Sequence, residues 1–155
     1  MTQPGSDRDL EFLQIALDQA RTGLQEGGIP IGACLVLDGQ VIGRGRNRRV
    51  QQQNPILHAE IDALQHAGRR SPAEYRRCTI YTTLSPCAMC SGAILLFGIP
   101  RVVLAENTTF RGAEQLLIGR GVELVNLQLA AAVALMQQFQ QRFPELWRED
   151  IGLPQ

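Results

Sequence analysis

Two cysteines in the segment YTTLSPCAMCSG, residues 81–92, have a spacing that suits a metal ion. Cys87 and Cys90 are three residues apart and follow Pro86, a residue type that is favoured at the first position of a helix. At this spacing the two side chains lie one helical turn apart on the same face. The positive end of the helix dipole also favours thiolates over thiols there. Because two thiolates leave a tetrahedral site incomplete, the chain must supply further ligands.

The sequence offers two histidines as a third ligand, and they differ in position. His58 opens the triplet HAE in the first turn of a predicted helix, LHAEIDALQHAG, whereas His66 lies near the end of that helix. In α/β folds the N-termini of successive helices meet at the carboxyl edge of the sheet. We therefore expect His58 to join the cysteine pair and His66 to lie on the surface. The other two cysteines, Cys34 and Cys78, stand alone in apolar strands and are predicted to pack in the core.

Glu60 stands two residues after His58, so its side chain points to nearly the opposite side of the helix and is poorly placed as a ligand. Its carboxylate can still curl over the helix end and act beside the metal as a general acid and base. Three protein ligands with an adjacent carboxylate make an open site, whereas a structural site is closed by four. His-x-Glu followed by Pro-Cys-x-x-Cys is typical of zinc-dependent nucleobase deaminases, and Cys₂His ligation favours zinc.

The elements that must position these residues alternate between helices and strands. Residues 6–26 predict an amphipathic helix capped by Ser6 with Asp9 in a capping box, and Asp38-Gly39 predicts a hairpin turn. Asn54-Pro55 predicts the start of the second helix. The remaining predicted elements are the strand CTIYTTL, the helix that Pro86 opens, the strands RVVLAE and GVELVNL, the helix LAAAVALMQQFQQRF and the tail PELWREDIGLPQ. This order predicts an α/β fold, a three-layer α/β/α sandwich around a central five-stranded mixed sheet.

Length and charge restrict the partners of the chain. Its 155 residues fit a single domain, 1–155, and fifteen basic residues balance fifteen acidic ones, which argues against a nucleic acid backbone as the main partner. The N-terminus, MTQPGSDRDLEF, lacks the pattern of a secretory signal, and the longest apolar run is far short of the ~20 residues of a membrane span. We therefore expect a cytoplasmic protein with no membrane partner. Two arginine clusters are interpreted as solvated charge: Arg44, Arg46, Arg48 and Arg49, and Arg69, Arg70, Arg76 and Arg77.

Beyond the metal motif, the sequence resembles the fungal-type free-base cytosine deaminases of the cytidine deaminase superfamily, nearly from end to end. The stretches that carry the resemblance are EGGIPIGACL, GRGRNRR, LHAEI, YTTLSPCAMCSGAI, FGIPR, the segment from Glu106 to Phe110, RGVEL and RFPELWREDIG. The whole superfamily shares the metal motif, whereas the C-terminal stretch makes the match more specific. The resemblance implies one zinc ion per chain bound by His58, Cys87 and Cys90. It also implies a homodimeric hydrolase that acts on the C–N bond of a cyclic amidine in pyrimidine salvage.

The same resemblance implies roles for individual residues. Zinc-bound hydroxide would attack C4 of cytosine, with Glu60 as the proton shuttle, and would release uracil and ammonia. Asn47 would hydrogen-bond the pyrimidine edge, and Asp150 would accept a hydrogen bond from the exocyclic amino group. Residues 144–155 would form a lid over the site. The walls of the pocket would be Phe110, Trp147, Ile31 and Ile151.

Departures from the family pattern, and the shared metal motif itself, leave alternatives open. Arg46 stands where the family has histidine and Val50 where it has phenylalanine, and both are expected to change the lining of the pocket. The preferred substrate is therefore open between cytosine and another free base such as guanine. A tRNA adenosine deaminase shares HAE and PCxMC, but it needs a basic groove that zero net charge argues against. A non-catalytic zinc module, a protein of a different class, would need a fourth protein ligand and no Glu60.

Overall fold

The structure, a computed structural model, describes residues 5–154 of the 155-residue chain. Residues 1–4 and Gln155 lie outside the described residues. The first four belong to the N-terminal segment that lacks the pattern of a secretory signal, and Gln155 is the last residue of the predicted lid. Within residues 5–154, no helix has the length and apolar composition needed to cross a membrane.

A five-stranded mixed sheet forms the centre of the fold. Its strands are β1 (Gly32–Leu37), β2 (Gln40–Arg46), β3 (Cys78–Thr82), β4 (Arg101–Leu104) and β5 (Glu123–Asn126). They lie in the order β2-β1-β3-β4-β5; β1 is antiparallel to both of its neighbours, whereas β3, β4 and β5 run parallel. The hairpin between β1 and β2 turns at Asp38 and Gly39, whose positive φ angles suit a two-residue turn of type I′. The predicted mixed sheet and its hairpin are confirmed.

Helices connect the strands and cover the sheet. Within the described residues they are α1 (Asp7–Gln25), α2 (Ala59–Ala67), α3 (Pro72–Tyr75), α4 (Ala88–Phe97), α5 (Glu114–Gly119), α6 (Ala130–Arg142) and α7 (Pro144–Asp150). The capping box of α1 is present as predicted: Ser6 Oγ accepts from the Asp9 amide, and the Asp9 carboxylate accepts from the Ser6 amide. The one-turn helix α3 was not predicted, whereas α7 is the C-terminal helix that the family resemblance implied for residues 144–155.

Alternating side chains of the strands build separate cores on the two faces of the sheet. On the face that α2, α4 and α5 cover, the buried strand residues include Leu35, Ile80, Val102 and Leu124. On the face that α1 and the start of α6 cover, they include Cys34, Val36, Tyr81, Val103 and Val125. This period of two places helices on both sides, which confirms the three-layer sandwich. Cys34 and Cys78 are buried free thiols in these two cores, as predicted.

One edge of the sheet gathers the segments that carry the predicted site. Because β2, β3 and β4 run in the same direction, their carboxyl ends lie at one edge, together with the first residue of the oppositely directed β1. Ile31 precedes β1, Asn47 follows β2, and Phe110 lies in the loop after β4. This is the edge at which α/β proteins bind ligands.

Candidate active site

The helix α2 presents His58 at this edge. The helix begins at Ala59 with His58 as its N-cap, rather than at Asn54-Pro55 as the sequence predicted. Asn54 instead forms a turn in which its side-chain oxygen accepts from the backbone N–H of Ile56, an alternative that asparagine offers to helix formation. The extended backbone of the N-cap turns the imidazole away from the helix that follows.

The helix α4 presents Cys87 in the same way. It begins at Ala88, two residues later than predicted, because the carbonyl of Pro86 accepts from the Ala113 amide, outside the helix. Cys87 is therefore the N-cap of α4, as His58 is of α2. Neither side chain forms a capping hydrogen bond to the helix that it precedes.

The three predicted metal ligands come together between these helix ends. The ligand atoms of His58, Cys87 and Cys90 lie within 4.8 Å of one another, and Cys87 Sγ is 3.4 Å from His58 Nδ1. Tetrahedral zinc, with Zn–S near 2.3 Å and Zn–N near 2.0–2.1 Å, sets such atoms about 3.6–3.8 Å apart, so the donor types and their proximity suit zinc. Among residues 5–154, no further histidine, cysteine or carboxylate joins this cluster as a fourth ligand. The donor set is open, and Cys78 does not close it.

The other ring nitrogen of His58 faces the carboxylate of Asp150, a residue that was predicted only to bind the substrate. His58 Nε2 lies 3.3 Å from Asp150 Oδ1, while Nδ1 faces Cys87. A histidine that binds a metal through one ring nitrogen commonly donates the N–H of the other to a carboxylate, which fixes its tautomer and orientation. The geometry thus assigns Nδ1 as the metal-binding atom, and Asp150 orients the ring.

The pKa values of the three ligands determine which of them must lose a proton when a cation binds. Hydrogen bonds from Cys90 and His58 lower the pKa of Cys87 to about 4, despite partial burial. Burial lowers the pKa of His58, but its hydrogen bonds to Asp150 and Cys87 outweigh burial and raise the pKa to about 10. The hydrogen bond to Cys87, together with burial, raises the pKa of Cys90. One thiolate is therefore present at neutral pH, and a bound metal would displace the remaining protons.

Glu60 lies in the first turn of α2 and lines the cavity next to the ligand cluster. Its side chain is buried, and burial raises the pKa of the carboxyl to about 7, with a further upward contribution from Cys87 and an opposing one from His58. A carboxyl that titrates near neutral pH can both accept and donate a proton.

Apolar side chains enclose this cavity. Phe110 and Trp147 meet edge to face, with ring centroids 5.6 Å apart. The cavity is narrow, with about 20 Å³ open to the centres of water molecules, because α7 lies across it. Besides His58, Cys87 and Glu60, its lining includes Ile31, Leu84, Phe110, Trp147, Asp150 and Ile151. The structure therefore brings together all four residues that were predicted as walls.

Asn47 reaches the cavity through Asp150. The asparagine is fully buried and does not line the cavity itself, but its Nδ2 donates to Asp150 Oδ1 over 2.9 Å. Asp150 Oδ1 thus meets both Asn47 and His58. The two predicted base-reading side chains are paired with each other, 103 residues apart in sequence.

The loop after β4 contains a polar network that sequence reasoning missed. Glu106 is completely buried, and its carboxylate accepts from the backbone amides of Thr108 and Thr109, which shapes the approach to Phe110. Ser85 donates to the buried Glu114 and so ties this loop to the segment before Cys87. The sequence signal was a glutamate two residues after the apolar strand β4, but its tertiary partners could not be read from it.

The two departures beside Asn47 do not alter the cavity. Arg46 points away from it, and its guanidinium contacts Glu26 at 2.8 Å and Gln19 at 2.9 Å. Val50 lines a separate surface pocket with Arg49 and neighbouring residues. The expectation that Arg46 and Val50 change the lining is therefore wrong: the Arg46 side chain leaves the last residue of β2 towards α1, and Val50 lies in the turn that follows.

Comparison with known proteins identifies relatives of the whole chain. The family model of the cytidine and deoxycytidylate deaminase zinc-binding region matches residues 6–106. The chain is 53% identical over 145 residues to a cytosine deaminase of Candida albicans, a match that covers 93% of this chain and 97% of that protein. It is 44% identical over 108 residues to a tRNA-specific adenosine deaminase of Streptococcus pyogenes, covering 68% of this chain and 67% of that protein.

Solved structures share the fold. One, from a study of A-to-I editing by tRNA:A34 deaminases, matches with a TM-score of 0.71 at 28% identity and covers 81% of this chain and 99% of that one. A guanine deaminase from Nitrosomonas europaea matches with a TM-score of 0.71 at 23% identity, with 91% and 87% coverage, which supports the fold alone.

The α/β sandwich, its open Cys₂His cluster and the buried carboxylate beside that cluster define a zinc-dependent hydrolase. Because the family model covers more than half of the chain and one relative matches it almost end to end, the chain belongs to the cytidine and deoxycytidylate deaminase family. Zinc is accordingly its metal, and His58, Cys87 and Cys90 are the residues that could hold it.

Proposed function

We propose that this chain is a single-domain, zinc-dependent enzyme that hydrolyses free cytosine to uracil and ammonia. The observation that carries the proposal is α7, whose Trp147 and Asp150 lie across the metal-ligand cluster and enclose it. A site that is roofed in this way suits a small, flat base better than a nucleotide within a polymer. The relative with 53% identity, which is matched along 97% of its length, is itself described as a cytosine deaminase.

Zinc held by the three ligands supplies Lewis acidity, which lowers the pKa of water from about 16 to about 7 and provides hydroxide at neutral pH. Glu60 accepts the proton of the attacking water and delivers it to N3 of the ring while C4 is attacked. Glu60 then takes the proton of the new hydroxyl group on C4 and delivers it to the amine, which leaves as ammonia while C4 becomes a carbonyl; this second transfer suits a pKa of about 7. Phe110 and Trp147 exclude bulk water from these steps.

Asn47 and Asp150 would recognise the base. The carboxylate of Asp150 accepts a hydrogen bond from the exocyclic amino group, and the amide of Asn47 pairs with the edge of the pyrimidine. In the structure these two groups hydrogen-bond each other, so a base must exchange their mutual bond for bonds to itself. Such an exchange keeps the buried polar groups paired before and after binding.

Residues 144–155 would act as a lid. The described cavity is too narrow for a pyrimidine ring while α7 is in place. The ion pair between Arg49 and Glu149, 3.1 Å apart and half exposed on the Glu149 side, is one of the contacts that hold α7 down. An exposed pair of this kind contributes only about 0–1 kcal/mol, so the larger part of what opening must overcome is the burial of Trp147 and the hydrogen bonds of Asp150.

A homodimer would cover the outer face of α4. This helix, AMCSGAILLF, exposes apolar residues where a monomer would present polar ones: Leu96 is 79% exposed and Met89 is 38% exposed. Leu116 on the neighbouring α5 is 43% exposed and extends the same apolar surface. A second copy of the chain is the partner that this surface fits best, as most soluble oligomers are homo-oligomers. We place the enzyme in the cytoplasm, in pyrimidine salvage.

The second candidate, a tRNA adenosine deaminase, is favoured by the 44% identity to such a protein over 108 residues. Against it, the arginines at the end of β2 are already neutralised: Arg46 pairs with Glu26, Arg48 with Asp62 and Arg49 with Glu149. Paired arginines offer little to a phosphate backbone. No nucleic acid partner is therefore proposed.

The experiment is ammonia release from purified, zinc-loaded protein given cytosine, cytidine, guanine and adenine in parallel, together with a tRNA anticodon arm. We expect release from cytosine and none from cytidine, because α7 must open to admit a base and close over it again, and a ribose on the base would obstruct that closure. Activity on guanine or on the anticodon arm, with none on cytosine, would replace the proposed substrate.

A further inference from the structure

Asn47 is held by its neighbours more tightly than a residue in a loop usually is. Its amide donates to the Ile31 carbonyl over 3.0 Å, and its side-chain oxygen accepts from the Arg49 amide over 3.0 Å. Its Nδ2 donates to Asp150. These contacts set the rotamer of Asn47, but they do not explain what fixes the end of β2 relative to the metal ligands.

Asp62 makes that connection. Its carboxylate Oδ2 accepts from the backbone amide of Arg46 over 3.0 Å and from Nε of Arg48 over 2.9 Å. These are the two residues that flank Asn47 in the chain. The Asp62 side chain is 1% exposed, whereas that of Arg48 is 21% exposed, so the pair is largely shielded from water. Charge-assisted hydrogen bonds in such surroundings are stronger and more directional than neutral ones.

The backbone of β2 also lies directly against the helix that carries Asp62. A Cβ atom at Gly45 would stand 2.2 Å from the Ala63 amide nitrogen and 2.5 Å from the Ala59 carbonyl oxygen. Only glycine permits this approach, and it brings the end of β2 within reach of the short Asp62 side chain. Strand and helix therefore meet backbone to backbone.

We infer that Asp62 is a positioning residue for base recognition: it clamps the segment 46–48 to α2 and thereby sets Asn47 relative to His58 and Glu60. The metal ligand, the proton shuttle and the clamp then lie within five consecutive residues at the start of one helix. This inference rests on the proposed role of Asn47 in binding the base. The local sequence LHAEIDALQ does not predict this role of Asp62, because the contacts that define it join the helix to a strand.

The test measures binding of cytosine by calorimetry to zinc-loaded protein that carries Glu60→Gln, which prevents turnover. Asp62→Ala removes both hydrogen bonds and is expected to raise the Kd for cytosine about tenfold, the effect of roughly one hydrogen bond. Asp62→Asn keeps an acceptor for the Arg46 amide and should raise the Kd no more than about threefold. The matched control is Asp38→Asn, which removes the exposed ion pair to Arg77 and should leave the Kd unchanged.

A double-variant cycle separates positioning from general stability. If Asp62 acts through Asn47, then Asn47→Ala and Asp62→Ala together should weaken binding no more than Asn47→Ala alone, within about twofold. If the Kd of the double variant rises by the product of the two single-variant factors, the inference is contradicted. Zinc content and the thermal midpoint are recorded for each variant. If Asp62→Ala fails to fold, Arg48→Ala removes the same ion pair from its more exposed side and is also expected to raise the Kd.

The outcomes distinguish this inference from the proposed function. If the parent protein does not bind cytosine, the proposed substrate is wrong and the inference falls with it. If the parent binds cytosine but Asp62→Ala, or Arg48→Ala in its place, leaves the Kd unchanged, only the positioning role of Asp62 is refuted.

Discussion

Asp150 joins the lid to the metal site, and its removal gives a prediction that does not depend on turnover. The carboxylate accepts from His58 Nε2 at 3.3 Å and from Asn47 Nδ2 at 2.9 Å, within a buried side chain. Asp150→Ala would leave the imidazole free to rotate and the Asn47 amide without its acceptor. Removal of the outer partner of a metal-binding histidine typically weakens metal affinity 10–100-fold, which corresponds to about 1.4–2.8 kcal/mol.

The assay is competition for zinc between the apo protein and a chromophoric chelator at neutral pH. We expect Asp150→Ala to lower zinc affinity by this factor, and Asp150→Asn to lower it less, because the amide oxygen still accepts from His58. The control is Glu145→Ala, which removes an exposed carboxylate from the same helix and should leave zinc affinity unchanged. Equal zinc affinity in Asp150→Ala and Glu145→Ala would refute the role of Asp150 in orienting His58.

Three further predictions follow from particular contacts. Glu60→Gln should retain zinc, by elemental analysis, and lose turnover by about 10²–10⁴-fold in an ammonia assay; near-normal turnover would remove Glu60 from the mechanism. Asp9→Asn should destabilise the fold by about 1.5–3 kcal/mol at pH 7 in urea unfolding, because Arg101 keeps Glu123 as a partner but loses the charge in its pair with Asp9. That pair lowers the pKa of Asp9 below its usual value, so its contribution is complete above pH ~4 and fades as the pH falls further; a deficit that grew on acidification would contradict this. If the chain forms the proposed homodimer, Leu96→Arg should give a monomer by light scattering, whereas Leu10→Arg, on the opposite face of the sheet, should leave the oligomeric state unchanged.

The sequence predicted the parts of the fold that local chemistry determines. The hairpin follows from Asp38-Gly39, the first helix from its capping box at Ser6, and the sheet from β-branched runs of strand length. The metal ligands followed from the sequence too, because the motif places His58 and Cys87 at helix starts. Helix boundaries were less accurate, since Asn54 and Pro86 form hydrogen bonds outside the helices that they were expected to open.

What could not be predicted depends on contacts between distant segments. The carboxylate of Asp150 meets His58 only because α7 folds back across the sheet edge, and Asp62 meets the end of β2 only because Gly45 admits the helix. Glu106 was predicted as the last residue of the strand RVVLAE, but it lies beyond β4 and is completely buried, where its carboxylate accepts from the backbone of the loop that leads to Phe110. In each case the residue type was visible, but its partner was set by the tertiary structure.

The most direct test of the account is the conversion of cytosine by the metal-free protein before and after addition of one equivalent of zinc, followed by proton NMR. We expect the metal-free protein to leave cytosine unchanged and the protein with added zinc to form uracil and ammonia in equal amounts. The Glu60→Gln variant should form neither product. Conversion that continues after zinc is removed, or that survives in Glu60→Gln, would contradict a mechanism built on the zinc cluster and its adjacent carboxylate. A zinc-loaded protein that leaves cytosine unchanged would contradict the proposed substrate.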